Sequence, residues 1–372
     1  MSELIQFYKH PQQYLEQQNL SALINEARQQ SMLASLYHKC QALGLWHLVS
    51  VEAQRHLISG KVYADKQHLT CFNELKELCP ALQEFDADVL LVKGIAYKIR
   101  GLQMAQGRLF SDVDLLVSKA NFPRCVDFLK SIGFLEAEQT DYDRQYYLNW
   151  SHQYPPLFHY LRGSSIDLHH AIIPVTAKTQ IDVQDYILQA QDVGLQNVKL
   201  PSDSYLFIHA AVHLFLQEET HKLVKDLCEL NELGRELLID DTTRHALWQA
   251  AEKSNVSRVI YTAATVLQLL FQQTWSQQLL DVAPNNDTPR SFKLRWNRWV
   301  ITKLIGDDSP FMRQFAHISW YIRGHIHKMG LLRLTYHTVV KSYLTWQLQR
   351  KLTAEQREID KHTKPQDAGE TD

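Results

Sequence analysis

Two acids one residue apart, Asp112 and Asp114, stand in the stretch Arg108-Leu-Phe-Ser-Asp-Val-Asp-Leu-Leu-Val117. In a strand, residues i and i+2 point to one face. The spacing therefore projects both carboxylates together, with Cα atoms about 6.6 Å apart at a rise of about 3.3 Å per residue. Like charges that close repel unless a cation lies between them. Hard oxygen ligands suit Mg²⁺ or Mn²⁺ rather than zinc. Taken alone, an Asp-x-Asp pair is more often a solvated strand start, because so short a motif recurs by chance. Its surroundings reverse that preference. Upstream, Asp88-Val-Leu-Leu-Val-Lys-Gly94 reads as a buried strand ending in a Lys93-Gly94 turn, and residues 95–102 read as a helix. A glycine there lets the backbone approach a ligand, and a helix N-terminus favours phosphate. Downstream, Ser165-Ile-Asp-Leu-His169 reads as another strand that carries Asp167 between apolar neighbours.

Three acids on neighbouring strands beside a glycine turn form a pattern that resembles the DNA polymerase β-type nucleotidyltransferase superfamily. More narrowly, the chain resembles the uncharacterised nucleotidyltransferase family. The residues that carry the likeness are Leu91-Val-Lys-Gly94, Arg108 four before Asp112, Asp112-Val-Asp-Leu-Leu-Val117, Gly133-Phe134 and Ile166-Asp-Leu-His169. His213 and Asp226 are similar to that family's helical C-terminal half. The likeness spans residues 20–235 and is most specific over 88–117. One departure is the turn itself, Lys93-Gly94 where the superfamily has Gly-Ser or Gly-Gly.

The resemblance implies transfer of a nucleoside monophosphate from an NTP to a hydroxyl acceptor that the sequence does not identify. Asp112, Asp114 and Asp167 would be the catalytic and metal-binding carboxylates, with Mg²⁺ (or Mn²⁺) as cofactor. Lys93 and Gly94 would meet the nucleotide phosphates. Arg108 would contact phosphate or partner an aspartate. His169, on the same strand face as Asp167, would contact substrate or orient the carboxylate. A competing reading is a catalytically silent scaffold or regulator of the same fold, working through its basic C-terminal segment.

The elements that must position these groups imply an α+β fold: a small mixed-sheet nucleotidyltransferase core flanked by N-terminal and C-terminal helical regions. Residues 1–80, rich in Leu, Ala, Gln and Glu, read as helices that wall the core, with Pro80 stopping the last one. His38, His47, His56 and His68 read there as ordinary surface or core histidines. Residues 81–200 read as the core. Within it Asn121 to Ile132 is a helix with Asn121 as N-cap, and residues 146–150, 157–161 and 165–169 are strand candidates. Arg162-Gly-Ser164 reads as a hairpin turn. Residues 201–281 form a helical substrate-side subdomain. His209 and His213 share a face there and read as packed or cleft-facing rather than as ligands. Asp226 is balanced between a substrate contact and a buried ion pair. Residues 282–289 form a loop. Residues 290–351 then hold twelve Lys or Arg against two acids, interleaved with aromatics. That segment suits either core helices or peripheral contact with a membrane surface or polyanion. Residues 352–372 read as a disordered tail.

Composition limits the alternatives. Of 372 residues, 45% are hydrophobic and 22% charged, enough for a large core. A net charge of −2 excludes polyanion binding by bulk charge. Five scattered cysteines suggest reduced thiols and a cytoplasmic location. Neither a signal peptide nor a transmembrane segment is expected.

Overall fold

The computed structural model describes residues 2–17, 20–195, 197–284, 292–306 and 308–363. Two compact units are present, Met1–Lys328 and Met329–Asp372. Helices α1 (Glu3–Lys9), α2 (Pro11–Gln17), α3 (Leu20–Gln29), α4 (Leu33–Ala42) and α5 (Val51–Ala81) open the chain. Strand β1 (Val89–Leu91) leads into α6 (Lys93–Ile99), followed by β2 (Asp112–Leu116), α7 (Phe122–Ser131) and β3 (Phe134–Glu136). Then come α8 (Asp141–Trp150), β4 (Leu157–His159), β5 (Ser165–His169), α9 (Val183–Leu188), β6 (Gln191–Asp192) and β7 (Val198–Leu200). Helices α10 (Asp203–Leu216), α11 (Leu223–Leu237), α12 (Asp241–Lys253), α13 (Ser257–Phe271), α14 (Thr274–Asp281), α15 (Phe292–Ile305) and α16 (Pro310–Thr363) complete it.

The fold is α+β, with one seven-stranded mixed sheet flanked by helices. Its strand order is β3-β4-β5-β2-β1-β7-β6. Strand β2 pairs parallel with β5 and antiparallel with β1, and β1 pairs parallel with β7. Strand β1 is a continuous apolar run, as a strand covered on both faces must be, whereas β2 and β5 interleave acids with apolar residues. Val89, Leu90, Leu91, Leu115, Leu116 and Leu168 are all fully buried. Helix α7 lays Cys125, Val126 and Leu129 on the core, and Pro123 sits in its first turn.

Several local expectations change. Residues 146–150 belong to helix α8 rather than to a strand. Thr140 accepts a hydrogen bond from the Asp143 amide at 3.1 Å, and Asp141 and Asp143 favour the helix N-terminus. Local capping there outweighs the β-preference of the aromatics, and Tyr146 and Trp150 meet one turn apart at 5.8 Å between rings. Strands β6 and β7 are additions to the sheet that alternation did not mark. Helix α5 passes through Pro80 and ends at Ala81. Asn121 makes no side-chain cap bond to α7. Helix α16 runs to Thr363, so residues 352–363 are helical rather than unstructured. No Gly or Pro interrupts 331–363, and its Gln, Lys, Arg and Glu are good helix formers. The tail beyond 363 and most of the 282–289 loop lie outside the described residues.

The basic aromatic segment also divides. In the first unit Val300, Ile301 and Trp320 are buried and Trp296 and Trp299 stack and pack on the core, while Phe311, Phe315 and Tyr321 are exposed. In the second unit Tyr343 and Trp346 are exposed and stack on one another, with Arg350 over Trp346. Gly330, at φ +65°, breaks the helical geometry of α16 near the start of that second unit. Among the described residues, no helix is long and apolar enough to cross a membrane.

Candidate functional site

The parallel register of β2 and β5 sets Asp112 opposite Ser165, Asp114 opposite Asp167 and Leu116 opposite His169. Strand alternation then puts Asp112, Asp114, Asp167 and His169 on one face, while Val113 and Leu115 fill the core behind them. Asp114, Asp167 and His169 each offer a ligand atom, and these three atoms all lie within 4.8 Å of one another. Asp114 is 4% exposed and His169 only 1%. Nε2 of His169 is 3.0 Å from Asp114 Oδ1. Gln153 Nε2 donates to Asp167 at 3.4 Å.

Lys93 joins this cluster from the neighbouring turn. The Val92 amide donates to the Asp114 carbonyl at 3.0 Å, which fixes the β1–α6 turn beside the paired acids. It is Lys93, not Gly94, that takes the left-handed conformation at φ +54°. That conformation costs a non-glycine residue on the order of 1 kcal/mol. It sends the ammonium to 2.7 Å from Asp114 Oδ1 and 3.2 Å from His169 Nε2.

The electrostatics follow from burial and from this crowding. Burial opposes the Lys93 charge, but Asp114 outweighs it and the pKa rises. Burial and the neighbouring Asp114 push the Asp167 carboxyl up to about 6. The same two causes, burial first, raise Asp112. Burial, then Lys93, holds His169 neutral, well below its ordinary value.

Gly94 serves a different neighbour from the one the sequence suggests. A Cβ there would lie 2.4 Å from Arg108 Nη1 and 2.8 Å from Phe110 Cβ. The glycine therefore admits Arg108 and Phe110, and the space above it is filled by protein. Arg108 turns to Glu229 of α11, with Nε 2.9 Å from Oε2, rather than to an aspartate of β2. Lys225 Nζ is 2.9 Å from the other oxygen of Glu229, so two cations share one carboxylate. Burial favours neutral forms here, yet Arg108 and Lys225 hold Glu229 ionised and below its usual range. His68 is not idle either: its Nε2 lies 2.8 Å from the Arg108 carbonyl, and its ring stacks on Phe110 at 4.6 Å.

A cleft of about 740 Å³ opens over Lys93, Asp112 and Asp114 and over the Arg108–Glu229 pair. One wall carries Lys93, Arg108, Asp112 and Asp114; the other carries His209, His213, Lys225 and Asp226 from α10 and α11. His213 lies between His209 (4.6 Å between ring centres) and His152 (5.8 Å), and His152 stacks on His169 at 5.3 Å. This layer of four imidazoles is held neutral chiefly by burial. Asp226, beside Lys225 at 3.6 Å, is raised by burial.

The family described as uncharacterised nucleotidyltransferase matches residues 16–272. The chain belongs to that family. No curated protein and no solved structure matches the chain. The matched span contains the whole sheet, the acid cluster and both walls of the cleft.

Among the residues singled out from sequence, Asp114, Asp167, His169 and Lys93 converge, and Asp112 lies on the same strand face. Arg108 and Gly94 form a second, adjoining contact. Sequence reading missed Glu229, whose only local signal is its place one helical turn from Lys225. It also missed His152, in an irregular segment without a motif.

Proposed function

We propose that this nucleotidyltransferase moves a nucleoside monophosphate from an NTP to a hydroxyl acceptor, using Mg²⁺ or Mn²⁺ held by Asp112, Asp114 and Asp167. The observation that carries this reading is the pairing of Asp114 with Asp167 across parallel strands beside a cleft of nucleotide size. The donors fit a divalent cation, since the carboxylates converge on a space that a cationic group, the Lys93 ammonium, already reaches. When bound, the cation supplies charge neutralisation at the phosphates and a lower pKa at the acceptor hydroxyl.

The chain's own groups supply the rest. The acceptor oxygen forms a bond to the α-phosphorus, the bond from that phosphorus to the bridging oxygen breaks, and pyrophosphate leaves. The hydroxyl proton would pass to Asp167, the acid opposite Asp114 on β5. Lys93 balances charge on the transferred group. Arg108 and Lys225, joined through Glu229, bring two cationic groups to the cleft for phosphate contact, beside the carboxylate of Asp226. Five buried free cysteines support a reducing, cytoplasmic setting. Contact with an anionic surface through 290–351 would use exposed aromatic and basic residues such as Tyr343, Trp346 and Arg350, and binding to phosphatidylserine vesicles tests it.

The test of the reaction is incubation with each α-labelled NTP, Mn²⁺ and cell extract, in parallel with Asp112→Asn. Label should pass to an acceptor with the native chain and fall at least about 10²-fold with the variant. Full transfer by Asp112→Asn would remove that carboxylate from the site.

A further inference from the structure

We propose that His169 is itself a ligand of the cation, so that the site is a mixed oxygen–nitrogen seat selecting Mn²⁺ over Mg²⁺. This rests on the reading of the cluster as a metal-dependent transfer centre, and it changes the ligand set that reading takes from the carboxylates alone.

Three observations carry it. First, the close-set group is Asp114, Asp167 and His169, two carboxylates and an imidazole. Second, His169 Nε2 and Asp114 Oδ1 are 3.0 Å apart. That is the separation of two adjacent ligands about 90° apart on an ion with bonds of about 2.1 Å. Third, a single Nε2 cannot satisfy both of its neighbours. Lys93 Nζ, 3.2 Å away, is a donor only, and the Asp114 carboxylate accepts only. Protonated, Nε2 serves Asp114 and faces an ammonium; bare, it serves Lys93 and faces a carboxylate oxygen. A cation bound by both the lone pair and the oxygen resolves the conflict.

The ion class follows from ligand chemistry. Mg²⁺ prefers an octahedron of oxygens and retains water, whereas imidazole suits first-row transition ions. Carboxylates suit Mn²⁺ as well as Mg²⁺, and of these two it is Mn²⁺, a first-row transition ion, that an added imidazole favours. The burial of His169, at 1% exposure, keeps water from replacing it as a ligand.

The experiment uses the full chain stripped with chelator and titrated with MnCl₂ or MgCl₂ alone. Calorimetry and the loss of the free Mn²⁺ electron-spin signal report binding. The native chain should bind Mn²⁺ at least about tenfold more tightly than Mg²⁺, and His169→Gln should bring the two within about threefold. A second readout needs no variant: the Co²⁺-loaded native chain should show a paramagnetically shifted imidazole N–H proton. Equal Mn²⁺ and Mg²⁺ affinity, a preference unchanged in His169→Gln, or no shifted imidazole proton would each overturn the role of His169. Absence of binding by either ion would instead overturn the cation reading beneath it.

Discussion

The ammonium of Lys93 lies 2.7 Å from Oδ1 of Asp114, on the carboxylate that stands between Asp112 and Asp167. A residue in a left-handed backbone conformation thus places a positive charge inside an acid cluster. Replacing it with Met keeps the apolar stem and removes the charge. Lys93→Met should bind Mn²⁺ at least about threefold more tightly, because a like charge has left the site. Its KM for NTP should rise about tenfold, from the lost charge-assisted contact. Weaker Mn²⁺ binding in this variant would mean that Lys93 organises the acids rather than opposing the cation.

Gly94 is predicted to be intolerant of even one methyl group. Alanine is the better helix former by about 1 kcal/mol. Against that, its Cβ would press on Arg108 Nη1 and on Phe110 at the distances given above. Gly94→Ala should lower stability in urea unfolding by about 1–3 kcal/mol. Adding Arg108→Ala should not restore it, since the Phe110 ring still blocks the space.

Glu229 ties α11 to the loop before β2 by holding Arg108 and Lys225 together. All three side chains are less than a fifth exposed, so loss of the carboxylate strands two buried cations. Glu229→Gln should cost about 3 kcal/mol, the lower end for a broken buried pair, because the amide still accepts hydrogen bonds. A midpoint in urea equal to that of the native chain would show that water replaces the carboxylate without penalty.

Acid should expose a separate clamp. Burial works against the charge of Glu136, yet Lys130 at 2.7 Å, the Tyr154 hydroxyl and Arg144 at 3.2 Å hold its carboxyl down to about 2. A depressed acid contributes stability fully above its unfolded value, about 4.3, and loses it as pH falls toward 2. Melting temperatures of the native chain and of Glu136→Gln should therefore differ most above pH 5 and converge as pH approaches 2. A gap that stays constant across this range would exclude Glu136 as its source.

The legible parts of this molecule were local. Period-two spacing puts Asp112 and Asp114 on one strand face, and the run Val89–Leu91 before Lys93-Gly94 reads as strand, turn and helix without outside help. Where two local preferences compete, as between the aromatics of α8 and the Thr140 cap, spacing alone chose wrongly. Helix α16 past residue 352 was misread for a related cause, since a polar sequence without an apolar stripe still forms helix when nothing interrupts it.

The sequence by itself determined which groups could do chemistry: three acids on strands, a lysine at a turn, and a histidine two residues from the last acid. Only the tertiary structure decided their partners. Register is a property of two strands, so nothing in β2 alone says that Asp114, and not Asp112, faces Asp167. Arg108 and Glu229 are 121 residues apart in the chain, and their ion pair exists because α11 packs beside the loop before β2. Contacts of that range depend on how the whole core closes, and no spacing within a single segment encodes them.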